Sequence, residues 1–391
     1  MKPLKDIIVL DLTRVLAGPY CTMMLADHGA NIYKIEPPKV GDDSRAFGPF
    51  VEKESAYFMS LNRNKRSMVL DFKNTKHVEL FKEMVKKADV VVENYRPGTM
   101  EKFGLGYEVL KEINPKIIYA ACSGFGHSGP YMLKPAYDII VQAMGGIMSI
   151  TGEENGSPVR VGASIGDVIA GIFTAYGVVT ALFNRTQTGK GEKVDVSMLD
   201  CQVAVLENAI ARYLTSGNIP GPIGNRHPSI TPFASFKAKD GQIIIGAGNE
   251  RLWINLCKVL DRPEWLNDPR FNNNSNRTAN FKELHALIDT ITEQKSIEEW
   301  LFLMESEGIP CAPINTVDKI INDPQIKYRE MIVEVEHPVA GKLKMPGVPV
   351  KMSSVKFDKF TPAPLLGQHT NELLHEMFGW DEATVKEKLN Q

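Results

Sequence analysis

The sequence predicts an α/β protein of two domains: a large one on a mostly parallel sheet and a smaller one of α+β type. Three observations carry that prediction. The chain has 391 residues, whereas a single hydrophobic core stops growing at roughly 250–300. Its first half alternates short β-branched runs with helical stretches, the pattern of βαβ units with helices on both faces of a parallel sheet. Around "LTSGNIPGPIGNRHPSITP" (214–232), Gly and Pro cluster and the apolar periodicity stops, which marks a linker.

Taken in order, strands are expected at "DIIVLDL" (6–12), "NIYKIE" (31–36), "SMVLDF" (67–72), "DVVVENY" (89–95) and "KIIYAACSG" (116–124). Residues 19–28 and "HVELFKEMVKKA" (77–88) read as helices between them. The first strand-to-helix connection, "DLTRVLAGPYCTMMLADHGA", has no G-x-G-x-x-G, so no NAD is expected. The apolar run from Val168 to Phe183 is about sixteen residues, short of the roughly twenty a spanning helix needs. It reads as a buried helix and not as a membrane segment. Beyond the linker, "GQIIIGAG", "RLWINLCKVL", "ELHALIDTITEQ" and "SIEEWLFLMESEG" make the smaller unit. The expected plan is residues 1–213 for the N-terminal part of the large domain, 214–232 for the linker, 233–325 for the small domain, and 326–391 for a return linker and the rest of the large domain. A last helix would carry a stripe of Leu365, Leu366, Leu373, Leu374 and Met377.

Hydrophobic residues at 43%, charged residues at 24% and a net charge of -2 describe a soluble globular chain, and give no ground for a nucleic-acid partner. The five cysteines are scattered and never in a C-x-x-C pair, so neither a disulfide framework nor a zinc site is expected, and a reducing cytoplasm fits. Asp6, Asp11 and Arg14 interrupt the first apolar run, which therefore does not read as an export signal. The eight histidines form no H-x-H or H-E-x-x-H, so no metal is assigned.

One carboxylate stands out. From Val161 to Asn184 the only ordinary acid or base is Asp167, between Gly166 and the apolar run. It can be the helix N-cap, bonding orphan backbone N–H groups. Equally, the positive end of the helix can keep it ionised and Gly166 can leave room for a ligand, which makes it a nucleophile or a base. "SLNRNKRSMVLDFKN" (60–74) gathers Arg63, Lys65, Arg66 and Lys73, either as a solvated turn or as a landing site for phosphates. In "ENYRPGTMEKFGLGY" (93–107), Asn94, Arg96 and Lys102 accompany Tyr95 after a strand, a combination suited to a phosphorylated adenine nucleotide.

The order and wording of these segments resemble the family III CoA-transferases over nearly the whole chain. The resemblance rests on "LDLTRVLAGPYCTMMLADHGANIYKIEPP", "NRNKRSMVLDFK", "VVENYRPGTMEKFGLGY", "GFGHSGPYMLKPAYDIIVQAMGGIMSITG", "GASIGDVIAG", "TGKGEKVDVSMLDC", "GNRHPSITPFASFKAKDGQIIIGAGNERLW", "EGIPCAPI" and "APLLGQHT". It implies a Rossmann-like large domain, an interlocked-ring homodimer, and transfer of CoA from an acyl-CoA donor to a carboxylate acceptor. Asp167 would be the nucleophile, carrying an aspartyl-CoA thioester. Coenzyme A would lie against Val15, Leu16 and Ala17, from Leu70 to Lys73, along Asn94, Tyr95 and Arg96, at Lys102, and along Pro135, Tyr137 and Asp138. Gly224, Asn225, Arg226 and His227 would form a loop that serves the oxyanion and the acceptor carboxylate. Two positions depart from the formyl-CoA transferase pattern: Leu16 replaces a glutamine and Pro37 an arginine, with Lys34 or Lys39 as substitute cations. The related α-methylacyl-CoA racemases pair an aspartate with a histidine, where this chain has Tyr137. A tyrosine's ordinary pKa near ~10 suits α-proton exchange poorly, so the transferase outranks the racemase. A non-catalytic CoA-binding protein is the remaining alternative.

Overall fold

Runs of Val, Ile and Leu flanked by Gly, Asn and Pro become the strands of a six-stranded sheet in the computed structural model, which describes residues 2–389. Met1, Asn390 and Gln391, at the outer ends of the expected first and last segments, lie outside the described residues. In chain order the main elements of this unit are β1 (Ile8–Asp11), α1 (Ala17–Asp27), β2 (Asn31–Glu36), β3 (Lys65–Val69), α2 (Thr75–Val85), β4 (Val90–Glu93), β5 (Ile118–Ser123), α3 (Asp138–Met144), α4 (Ile165–Thr188), β6 (Lys193–Ser197) and α5 (Met198–Val205). The sheet order is β3-β2-β1-β4-β5-β6, and every neighbouring pair is parallel.

Because successive side chains point to opposite faces, each strand feeds two cores. Val9, Ile32, Val90 and Ile118 pack with Cys21 and Leu25 of α1 and with Ala175, Val178 and Leu182 of α4. Leu10, Ile35, Met68 and Val91 pack on the other face with Leu80, Phe81 and Met84 of α2 and with Leu373, Leu374 and Met377. Each such side chain contributes about 1.5–3 kcal/mol by leaving water. From the edge strand β3 the chain crosses to β4, on the far side of β1. The order reverses there, so a crevice opens beyond the carboxyl ends of β1 and β4, where open α/β sheets bind ligands.

The second unit comprises Ser149–Val159 and Asn218–Asp323. Its antiparallel strands Phe233–Ala238, Gly241–Gly246 and Cys311–Pro313 bury Phe236, Ile243 and Ile245 against Trp253, Leu256, Ile288 and Trp300. From residue 324 the chain returns to the first unit, adding the hairpin Ile332–His337/Gly341–Pro346 and the helices Thr370–Phe378 and Glu382–Leu389.

Three boundaries differ from expectation. Helix Glu207–Ser216 occupies the start of the anticipated linker and is closed by Gly217 at φ +72, and the segment from Asn218 onward clusters with the small unit. Helix α4 runs 24 residues, longer than the expected buried run, and is by length and composition sufficient to cross a membrane. The stripe expected of the last helix falls on Thr370–Phe378, with Leu373, Leu374 and Met377, whereas Leu365 and Leu366 precede that helix and Glu382–Leu389 follows it.

Candidate active site

The site is built around the start of α4. Its N-cap is Ser164, whose side chain makes no capping hydrogen bond, so Asp167 lies in the first turn and not at the cap. The capping carboxylate comes from α3. Asp138 Oδ1 accepts the Gly166 N–H at 2.8 Å, and Asp138 Oδ2 accepts from Gln142 Nε2 at 2.8 Å. Gly166 therefore makes room for this contact and not for a ligand: a Cβ there would stand 2.8 Å from Val141 Cγ2 and 3.0 Å from Asp138 Oδ1.

Relieved of capping, the Asp167 carboxylate has no hydrogen-bond donor among the described residues. Burial, and then the neighbouring Asp138 charge, push its pKa from 3.8 to about 7. The helix terminus, expected to keep it ionised, is outweighed. A terminus supplies about 0.3–1 kcal/mol, less than the roughly 1.4 kcal/mol that one pH unit represents.

Asp167 lines a cleft of about 160 Å³ at the crevice beyond β1 and β4. Val15, Leu16 and Ala17 line it from the β1–α1 connection, Asn94, Tyr95 and Arg96 from the end of β4, and Pro135 and Tyr137 from the approach to α3. These expected residues are brought together with Asp167. Cys122, Ser123 and Met198 complete the wall beside it, and Arg14, Arg96 and Lys134 supply cations. Burial pushes the Cys122 thiol up to about 12. It stays protonated at neutral pH, so no thiolate is available from it there.

Other expected contacts lie elsewhere. Leu70 is in the core, Lys73 and Lys102 are exposed away from the cleft wall, and Asp138 serves the helix start. Lys34 does not join the cleft as a substitute phosphate cation. Its ammonium is fully buried, 2.9 Å from Asp42 Oδ2, and donates to the Thr13 carbonyl at 2.9 Å. Burial alone would lower its pKa, but Asp42, Asp11 and Glu36 outweigh burial and hold it above the ordinary value. Lys39 is exposed and is not part of the wall. Asn94 is occupied by the chain itself: its Oδ1 accepts the Arg14 N–H at 2.9 Å, and its Nδ2 donates to the Arg14 carbonyl at 2.8 Å. The basic segment divides in the same way, with Arg63 and Lys65 buried on Asp27 and Asp11, and Arg66 on Glu372 and Glu376.

Within the small unit, Gly224 at φ +65 donates its N–H to the Gly152 carbonyl at 2.8 Å. Asn225 Nδ2 reaches Ser235 Oγ at 3.3 Å, the Arg226 guanidinium lies over Phe281, and the His227 N–H donates to the Phe233 carbonyl at 2.9 Å. Arg160, absent from the residues expected at the site, places Nη1 3.8 Å from Asp138 Oδ2. Its signal was the isolated cation in "PVRVG", seven residues ahead of Asp167. Among the described residues no cluster of His, Cys, Asp or Glu is arranged to hold a metal ion.

The sequence model of CoA-transferase family III matches residues 4–370. Among curated relatives, human succinyl-CoA:glutarate CoA-transferase is 42% identical over 100% of this chain and 89% of its own length. Acetyl-CoA:oxalate CoA-transferase from Acetobacter aceti is 44% identical over 90% of this chain and 89% of its own length. The crystal structure of a CAIB/BAIF family protein from Brucella suis superposes with a TM-score of 0.85 at 38% identity, covering 96% of this chain and 99% of that one.

Proposed function

The chain belongs to CoA-transferase family III, and from that premise we propose that Asp167 carries CoA from a donor thioester to an acceptor acid through a covalent aspartyl-CoA. The coarser activity, exchange of CoA between an acyl-CoA and a carboxylate, is that of the family. One observation supports the finer step above all others. The Asp167 carboxylate faces the cleft without a donor, while Asp138 satisfies the helix start in its place.

The ionised Asp167 attacks the donor carbonyl, expelling CoA thiolate and leaving a mixed anhydride. The thiolate attacks the aspartyl carbonyl, releasing the donor acid and forming the aspartyl-CoA thioester. An acceptor carboxylate attacks that thioester, again expelling thiolate and forming a second anhydride. The thiolate then takes the acceptor's acyl carbon, and Asp167 is restored as a carboxylate. Each exchange conserves an activated acyl bond, so no ATP is needed and water must be kept from the anhydrides. The cations Arg14, Arg96 and Lys134 at the cleft suit the CoA phosphates.

Both curated relatives named above act on dicarboxylic acids, glutarate and oxalate. We take a small dicarboxylate as the acceptor here. The racemase alternative lacks a histidine partner at Tyr137. The working unit is proposed to be a homodimer.

Asp167→Ala and Asp167→Asn should each lose at least about a thousandfold in transfer rate. Mass spectrometry after incubation with donor alone should find CoA on residue 167. Transfer proceeding at the wild-type rate in both variants would rule the covalent route out.

A further inference from the structure

The β1–α1 connection carries a conformation that its sequence does not favour. Val15, a β-branched residue in the cleft wall, has φ +66, a region in which such residues are genuine outliers. Strain of this kind persists only where the surroundings over-determine it. Here they do, through side chains from outside the connection. The Thr13 N–H is taken by Asp11 Oδ1 at 2.9 Å and the Thr13 carbonyl by Lys34 Nζ at 2.9 Å. Both backbone groups of Arg14 are taken by Asn94. The Val15 N–H is taken by Asp42 Oδ1 at 3.0 Å. Every polar backbone group from the Thr13 N–H to the Val15 N–H is thus fixed.

The anchor of this arrangement is costly. Lys34 and Asp42 have fully buried side chains paired at 2.9 Å, and taking two charges out of water is a poor route to stability alone. Asp42 Oδ1 also accepts from Ser44 N and Ser44 Oγ, at 2.9 and 2.8 Å. Its carboxylate is therefore held in one orientation, with one oxygen aimed at Val15 and the other at Lys34.

We propose that the buried Lys34–Asp42 pair is a positioning device for the Asp167 reaction: it holds Val15 left-handed, and so fixes the Val15–Leu16–Ala17 wall of the cleft before substrate arrives. The inference rests on Asp167 as the nucleophile. Neither Lys34 nor Asp42 lines the cleft. Their effect is on geometry, where a displacement of about 1 Å in a reacting complex can cost a hundredfold.

The experiment uses the full chain and reads the rate at which CoA is attached to residue 167 from succinyl-CoA alone, beside the thermal midpoint and the pH profile. Charges are removed together, so that no ion is left unpaired in the core. Lys34→Met/Asp42→Asn keeps an oxygen for the Val15 N–H but frees the Thr13 carbonyl, and should label about threefold more slowly than wild type. Lys34→Met/Asp42→Ala loses that acceptor and should label at least about tenfold more slowly, with the acid limb set by Asp167 unmoved. Adding Val15→Gly to the alanine variant should recover part of that loss, since glycine adopts positive φ unaided. If the alanine variant does not fold, Asp42→Ser in the same background replaces it, its hydroxyl being too short to reach Val15. A folded alanine or serine variant that labels as fast as wild type, or a loss that Val15→Gly leaves untouched, overturns the proposal while Asp167 remains the nucleophile. No label on wild-type protein would instead remove the premise.

Discussion

At the scale of single residues, the property of Asp167 that matters is a carboxyl held near the middle of its titration at neutral pH. Because the proposed nucleophile is the Asp167 anion, kcat/KM should fall as pH drops below about 7, approaching tenfold per unit. Asp138 is the second cause of the raised pKa, so Asp138→Asn should move this acid limb to lower pH, whereas an unmoved limb would mean that the charge of Asp138 is not felt. The same shift fixes a sign for stability. Between 3.8 and about 7 the folded state binds the proton that the unfolded chain has already lost, so stability falls as pH rises through that window and then levels. Asp167→Asn, which cannot ionise, should therefore raise the unfolding midpoint over wild type at pH 8 and change it far less at pH 4. Parallel thermal melts at the two pH values check this independently of any activity assay.

At the scale of elements, α4 and α1 cross where Gly171 faces the start of α1. A Cβ at 171 would stand 2.6 Å from the Ala17 carbonyl and 3.2 Å from the Tyr20 ring. Gly171→Ala gains about 1 kcal/mol of helix propensity but meets backbone, where overpacking costs about 1–3 kcal/mol. The net effect should be destabilising, seen as a lower denaturant midpoint, and it should also reduce kcat/KM, because Ala17 lines the cleft. The elements themselves were largely legible in the sequence. β2 is legible residue for residue at 31–36, since an apolar run bounded by Gly29 and Pro37 leaves little freedom. β6 escaped notice because "KVDVS" alternates charge with valine and resembles a surface turn. Lys34 misled for a related reason. A lysine between Tyr33 and Ile35 reads as an outward position, yet a parallel strand has both faces covered, and the charge can be housed only by a partner as remote as Asp42. The cap of α4 was illegible locally: the N–H of Gly166 is satisfied from 28 residues upstream, and no short-range rule could have moved that task from Asp167 to Asp138.

At the scale of the whole molecule, the outer face of α4 calls for a partner. Ile172, Tyr176, Val179 and Phe183 recur at helical spacing, and Tyr176 and Phe183 are 68% and 65% exposed. No charge interrupts the stretch between Asp167 and Asn184, and an uninterrupted apolar face of this kind marks an interaction surface. The opposite face of the same helix is already committed to the core through Ala175, Val178 and Leu182, so this helix cannot leave for a bilayer without dismantling that core. A second copy of the chain is the occupant that the proposed homodimer supplies. Aromatic side chains at the centre of such a contact each contribute about 2 kcal/mol or more to association. Tyr176→Asp/Phe183→Asp buries like charges against one another in a symmetric contact and should convert a dimer to a monomer in sedimentation, while the circular-dichroism spectrum keeps its α/β shape. Wild-type protein sedimenting as a monomer at micromolar concentration would remove the homodimer, and a doubly substituted chain that remains dimeric would move the interface away from this face. Partial activity in a folded monomer would then separate what Asp167 does within one chain from what the second chain adds.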